Sequence, residues 1–187
     1  MPCLKNRIDV RNPVSWPTPM SMEHKAFAFD WNAFQRDLAP ILHDALSCDS
    51  VAALAAFIEH HRHSLTDPYE GQPLPKDWWS SMENRDVQEH GDFALTRYYS
   101  PTVDFGIGDS WIEFSSGFPS PQILLGDLFG PADNRFDPGR MGSYFQTPTV
   151  VASSLRDLSA NDHPELSGFV GLLERCNAGE MGVYVTF

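Results

Sequence analysis

The sequence predicts an α+β fold, an antiparallel sheet of about four to five strands covered by helices from the N- and C-terminal parts of the chain. Three observations predict it. Apolar residues recur at helical spacings of three and four in two blocks, near residues 31–65 and 148–176. Between and after those blocks lie short aromatic and β-branched runs bounded by Gly, Pro, Ser and Asp, the pattern of strands joined by turns. The chain has 187 residues, enough for one domain that buries roughly two-thirds of its unfolded surface.

Residues 1–22 carry Pro2, Pro13, Pro17 and Pro19 with little periodicity, and read as an extended leader before a single globular domain over 23–187. Trp16 offers that leader an anchor on the body. From Asp30, a suitable N-cap, Trp31, Phe34, Leu38, Ile41, Leu42 and Ala45 fall on one stripe. Pro40 removes a backbone donor within it, so a kink or two short helices are expected. Val51, Leu54, Ala55, Ile58 and Leu65 form the next helix, capped by Asp49 or Ser50 and folded back through Ser47–Ser50. Thr66–Pro75 reads as a loop, from Asp67, Pro68, Gly71, Pro73 and Pro75. Lys76–Asn84 reads as a short helix that buries one of Trp78 and Trp79 and leaves the other nearer the surface.

Asp92–Tyr99 is the clearest strand on pattern, stopped by Ser100-Pro101. Trp111–Ser115 is a second, Gln122–Leu125 a third strand or helical turn, and Tyr144–Gln146 a further one. Thr147-Pro148 supplies the cap and first residue of a helix that buries Val151, Leu155 and Leu158. The last helix starts near His163-Pro164-Glu165, carries Leu166, Phe169, Val170, Leu173 and Cys176 on one side, and stops at Gly179. Gly182–Phe187 closes the chain as a strand inside the sheet, because so apolar an edge would invite aggregation. Helices from both ends are expected to cover one face of the sheet.

Thirteen basic residues against 25 acidic ones give a net charge of -12. That charge repels phosphate backbones and anionic lipid alike, so neither nucleic acid nor membrane is expected as a partner. Tyr98 to Asn134 holds no Lys or Arg but carries Asp104, Asp109, Glu113, Asp127 and Asp133. Trp111, Ile112, Phe114, Leu124, Leu125 and Phe129 run between these acids, so the stretch folds and its carboxylates belong on turns and rims. Cys3, Cys48 and Cys176 form no CxxC pair and suit reduced thiols in the cytoplasm. Cys48 and Cys176 read as buried small hydrophobes. No signal-peptide pattern and no run of eighteen apolar residues is present.

The residues that could carry chemistry form no diagnostic motif. His60 and His63 share a helical face but lack a third ligand, and read as a solvated helix end. His90-Gly91-Asp92 pairs an imidazole with a carboxylate without an adjacent nucleophile, and Asp92 reads more simply as a turn cap. Asp104, Asp109 and Glu113 around Gly106 and Gly108 lack the alternation of a calcium loop, and Gly106-Ile-Gly108 lacks the third glycine of a dinucleotide fingerprint. No cofactor or metal is expected. Asp137-Pro-Gly-Arg140 is a turn in which Gly139 should take the positive φ. Arg97, Arg135 and Arg140 should pair with neighbouring acids or else grip an anionic group.

The expected function is an acidic protein-binding module, of the immunity type, that neutralises a basic partner such as a toxin nuclease by masking its active surface. Asp104, Asp109, Glu113, Asp127 and Asp133 would meet the partner's charge, with Tyr98, Tyr99, Tyr144 and Arg140 as contact residues. The alternative is a small hydrolase or metal-dependent enzyme using His90, Asp92, Asp104 or Asp109 in one cleft. A third possibility is an assembly subunit with a large self-complementary apolar face.

Overall fold

A computed structural model describes residues 22–117, 120–159 and 163–187. Most of the leader, with Trp16 and Cys3, lies outside the described residues. The described chain forms an antiparallel sheet with helices on both faces, which bears out the α+β class. Its strands are β1 (Lys25–Phe29), β2 (Asp127–Leu128), β3 (Ser143–Gln146) and β4 (Gly182–Thr186), in the order β1-β4-β3-β2. The closing strand is interior as expected, flanked by β1 through Phe27↔Tyr184 and by β3 through Phe145↔Tyr184.

Side chains alternate across this sheet and divide the core in two. Phe27, Phe29, Phe145 and Tyr184 point to one face, Ala26, Val183 and Val185 to the other. The aromatic face is covered by α1 (Trp31–Asp37), α2 (Ala39–Cys48), α3 (Ala52–His61) and α4 (Val87–Leu95). The aliphatic face takes α5 (Trp111–Gly117), α6 (Pro148–Leu158) and α7 (Ser167–Ala178). N- and C-terminal helices thus take opposite faces rather than sharing one. β4 is covered on both faces, so its residues 183–185 are apolar on each, and it shows no polar alternation.

Several helix signals act as expected. Asp30 caps α1 by accepting from the Ala33 amide at 3.0 Å, and Pro40 at the start of α2 separates two short helices. Thr147 caps α6 through the Val150 amide, and Gly179 ends α7. Trp78 is buried while Trp79 is exposed, although only Trp78–Ser80 is helical there, as a single 3-10 turn. Asp49 does not cap α3; it adopts a left-handed conformation at the end of α2. Cys176 is buried, with its thiol pushed up to about 11 by burial, whereas Cys48 is exposed on α2.

Two expected strands are helices. Of the expected strand Asp92–Tyr99, Asp92–Leu95 is the second half of α4, a helix whose residues Val87 and Glu89 to Leu95 are all buried, and Thr96–Tyr99 turns away after it. A helix surrounded on every side carries no amphipathic stripe, so its apolar run resembles a strand. Gly91 lets it sit that deep: a Cβ there would stand 2.7 Å from Phe136 and 2.8 Å from Leu42. Trp111–Ser115 is α5, and Gln122 and Ile123 belong to a 3-10 turn over Pro121–Ile123. Conversely, Lys25–Phe29 is a strand that the sequence pattern did not mark.

The outer edge of β1 is covered by residues 104–108. The Phe105 amide donates to the Ala26 carbonyl at 2.8 Å, and His24 and Gly108 exchange two bonds of 3.1 Å. Asp104 replaces a strand carbonyl, its Oδ1 accepting from the amides of Ala26 (2.9 Å) and Gly106 (2.8 Å). Gly106 faces β1 so closely that an added Cβ would meet the His24 oxygen at 1.9 Å. Gly106→Ala should therefore open this seam, at a cost of about 1–3 kcal/mol, a fall in Tm of roughly 2–10 °C in a thermal melt; an unchanged Tm would mean that the seam yields freely.

Candidate functional site

The loop Thr66–Pro75, the turns after Trp78, the start of α4 and the 134–142 loop enclose a cleft with two chambers. The outer one, of about 540 Å³, is lined by Tyr69, Ser81, Glu83, Asn84, Asp86, Gln88, Glu89, Asp137, Pro138 and Arg140. The inner one, of about 210 Å³, lies between Asp92, Tyr99, Tyr184, Phe27, Phe187 and the rim residues Lys25, Pro68 and Gly139. Tyr69 and Pro138 border both.

Each wall has a local cause. Asp67 Oδ1 accepts from the amides of Tyr69 (2.8 Å) and Glu70 (3.0 Å), a turn that holds Tyr69 at the loop tip. Asp86 caps α4 by accepting from the Glu89 amide at 2.9 Å. Glu89 turns back onto the preceding loop, where the amides of Glu83, Asn84 and Arg85 donate to its carboxylate at 2.8, 2.9 and 2.7 Å. Gln88 ties the far wall to the helix, donating to the Arg135 carbonyl at 2.8 Å and accepting from the Asp137 amide at 2.7 Å. Asp137 accepts from Gly142, and Arg140, not Gly139, takes the positive φ of that turn, at 56°.

Charge in the outer chamber is unbalanced. Glu83, Asp86, Glu89 and Asp137 face one guanidinium, Arg140, which forms no ion pair among the described residues. The expected pairing of Arg97 and Arg135 with acids also does not form: Arg97 donates to the Ser64 hydroxyl and Arg135 to the Gly130 carbonyl. Arg36–Asp37 and Arg62–Glu59 are the Arg–carboxylate pairs among the described residues, and His43 lies 3.9 Å from Asp44, all local in sequence.

Asp92 differs from the other carboxyls of the cleft. It is buried on α4, and desolvation pushes its pKa up to about 7, with nearby Asp67 and Glu89 adding to the rise and the Tyr69 hydroxyl opposing it. Tyr69 is 70% exposed, yet it lines the same chamber as Asp92, and its phenol is held above its ordinary range by partial burial and by the nearby Asp92 carboxyl. Burial likewise raises the phenols of Tyr99 and Tyr184 well above their ordinary range, so both stay neutral donors. The Tyr99 and Tyr184 rings meet at 5.0 Å between centroids, and the Tyr184 hydroxyl lies 3.3 Å from that of Ser143.

The acids singled out in the sequence are not gathered here. Asp104 lies along β1 and Asp127 on β2, at opposite edges of the sheet. Asp109 precedes α5, Glu113 lies on it, and Asp133 is exposed on the loop before Phe136. Among the expected contact residues, Arg140 lines the outer chamber and Tyr99 the inner one. Tyr144 packs on the aliphatic face, and Tyr98 is buried, so it presents no surface. His90, two residues before Asp92 on the helix, points away beneath Trp78 with Nδ1 2.9 Å from the Asp86 carbonyl. His90, Asp92, Asp104 and Asp109 therefore do not meet at one point.

Sequence reasoning passed over Tyr69, Glu83 and Asp86. Tyr69 stands at the tip of the Pro- and Gly-marked Thr66–Pro75 loop, where binding residues concentrate, while Glu83 and Asp86 lie in a polar loop before α4 that carries no Pro or Gly. Among the described residues no helix is long and apolar enough to cross a membrane, and no cluster of three or more His, Cys, Asp or Glu is arranged to hold a metal ion. The chain matches no protein-family model, no curated protein and no solved structure.

Proposed function

We propose that the protein is an acidic binding module that captures a positively charged protein surface, as an immunity-type inhibitor would cover the active face of a basic toxin or nuclease. The observation that carries this reading is the outer chamber, where Glu83, Asp86 and Asp137 stand without a cationic partner among the described residues. A net charge of -12 speeds encounter with a basic surface and rejects acidic ones. Exposed Tyr69 lines the same chamber and exposed Trp79 lies four residues before Glu83, and they supply the flat contact area from which interface energy chiefly comes. Asp109, Asp127 and Asp133 act at longer range, on the association rate. The setting is the cytoplasm, where the exposed thiol of Cys48 stays reduced.

The test is capture of a basic partner from a lysate of the source cells, eluted by rising salt, followed by charge reversal. Glu83→Lys should weaken binding by about tenfold or more, since like charges placed in contact cost several kcal/mol. Reversing Asp109, Asp127 and Asp133 together should slow association with a smaller effect on dissociation. Asp104 is unsuited to this series because its carboxylate holds the β1 edge. Salt-independent binding, or Glu83→Lys binding like the wild type, would contradict the proposal.

A further inference from the structure

The inner chamber contains a carboxyl that the fold does not use. Glu89, one turn earlier on α4, shows how a structural buried carboxylate is held, with three backbone amides saturating it. Asp92 is equally buried, but among the described residues no backbone amide donates to its carboxyl, and it borders a cavity shared with the phenol of Tyr69, an exposed loop residue. The cavity it lines is walled by rings, with Phe27, Tyr99 and Tyr184 on the sheet side, Phe187 at the end and Tyr69 across the mouth. A buried anion among aromatic rings has one natural complement, a compact cation that restores its lost solvation and is attracted to the rings.

We propose that the inner chamber is a binding site for an alkylammonium group, which enters past Tyr69, pairs with the Asp92 carboxylate and lies against Tyr99 and Tyr184. An ammonium fits better than a guanidinium. A guanidinium would place two of its five donors on the Asp92 carboxylate and leave the rest against the rings, whereas the ammonium's three donors can rotate onto the carboxylate and the phenol oxygens of Tyr69 and Tyr99. The volume of about 210 Å³ suits a lysine head and its methylene stem better than a larger ligand. Charged and titratable groups around Asp92 are Asp67 and Glu89, which favour a cation, the neutral phenols of Tyr69, Tyr99 and Tyr184, and Lys25 on the rim. Lys25 is exposed, and its flexible stem lets its own ammonium swing into solvent.

This assignment deepens the reading of the cleft as a receptor for positive charge, and rests on that reading only in the identity of the amine's carrier. The probes are butylammonium and the capped peptide acetyl-Gly-Lys-Gly-amide, with the Nε-acetylated peptide as neutral control, titrated calorimetrically into the full-length protein. Binding of either amine, lost at least tenfold in Asp92→Asn and in the acetylated control, is the expected result. Tighter peptide binding marks a protein lysine as the occupant, and tighter butylammonium binding a free amine. Because Asp92 must shed its proton, affinity should rise roughly tenfold between pH 6 and pH 8. No binding of either amine, equal binding of the acetylated peptide, or full affinity in Asp92→Asn would overturn the proposal. Loss of these signals while a basic partner still binds and remains sensitive to Glu83→Lys would leave the outer-chamber reading standing.

Discussion

Asp92→Asn should make the protein more stable, not less, and only toward neutral and alkaline pH. The folded-state pKa of about 7, against an ordinary 3.8, means that folding must either protonate this carboxyl or bury its charge. The cost is absent below pH 3.8, grows as the pH rises toward 7, and is constant above it. At 1.36 kcal/mol per pKa unit the full difference is on the order of 4 kcal/mol, an upper figure because the asparagine amide must also find partners. Urea titrations at pH 3.5 and pH 8 should give nearly equal wild-type and variant stabilities at the first and a gain of about 2–4 kcal/mol for the variant at the second. Equal stabilities at both would mean that Asp92 is well solvated or well paired. His24 contributes a limb of opposite sign. It is buried, with its pKa lowered by desolvation, Nε2 3.2 Å from the Leu124 carbonyl, and Nδ1 accepting from the Ile107 amide at 3.3 Å. Its neutral form stabilises the fold above pH 6.5, and that contribution is lost as the pH falls through 6.5 toward its lowered folded value.

The second large effect is expected at Phe34. This ring from α1 is fully buried, stacks on Phe145 of β3 at 5.6 Å and 6°, and meets Phe29, Tyr98 and Phe129 edge-on or tilted. It locks the N-terminal helices to the sheet. Phe34→Ala should cost about 3–5 kcal/mol, a large part of the 5–15 kcal/mol typical of a whole domain. A urea midpoint lowered in proportion, with the slope unchanged, is the expected reading; a loss below 1 kcal/mol would show that the core closes over the cavity.

These two sites show what the sequence made legible. Phe34 was readable, because α1, α2, α3, α6 and α7 each bury one stripe and their apolar spacing follows the helical period. The closing strand was readable from its unbroken apolar run. Where the reading failed, α4 is the clearest case: it is buried nearly all round, so it carries no polar face that reveals its period. Asp92 was noted in the sequence, but as a cap at the start of a strand. Its true place, in mid-helix against a cavity, depends on Tyr69, Tyr99 and Tyr184 arriving from three other segments. The acidic stretch 98–134 was visible as composition, yet it runs along one edge of the sheet and returns at the other, which no local pattern encodes.

The most direct test of the account is an NMR titration of the Asp92 side-chain carboxyl, alone and with saturating acetyl-Gly-Lys-Gly-amide. A midpoint near pH 7 in the free protein that moves down when the amine is added is the predicted result, since the cation must favour the charged form. A midpoint near pH 4, or one that the amine leaves in place, would contradict it.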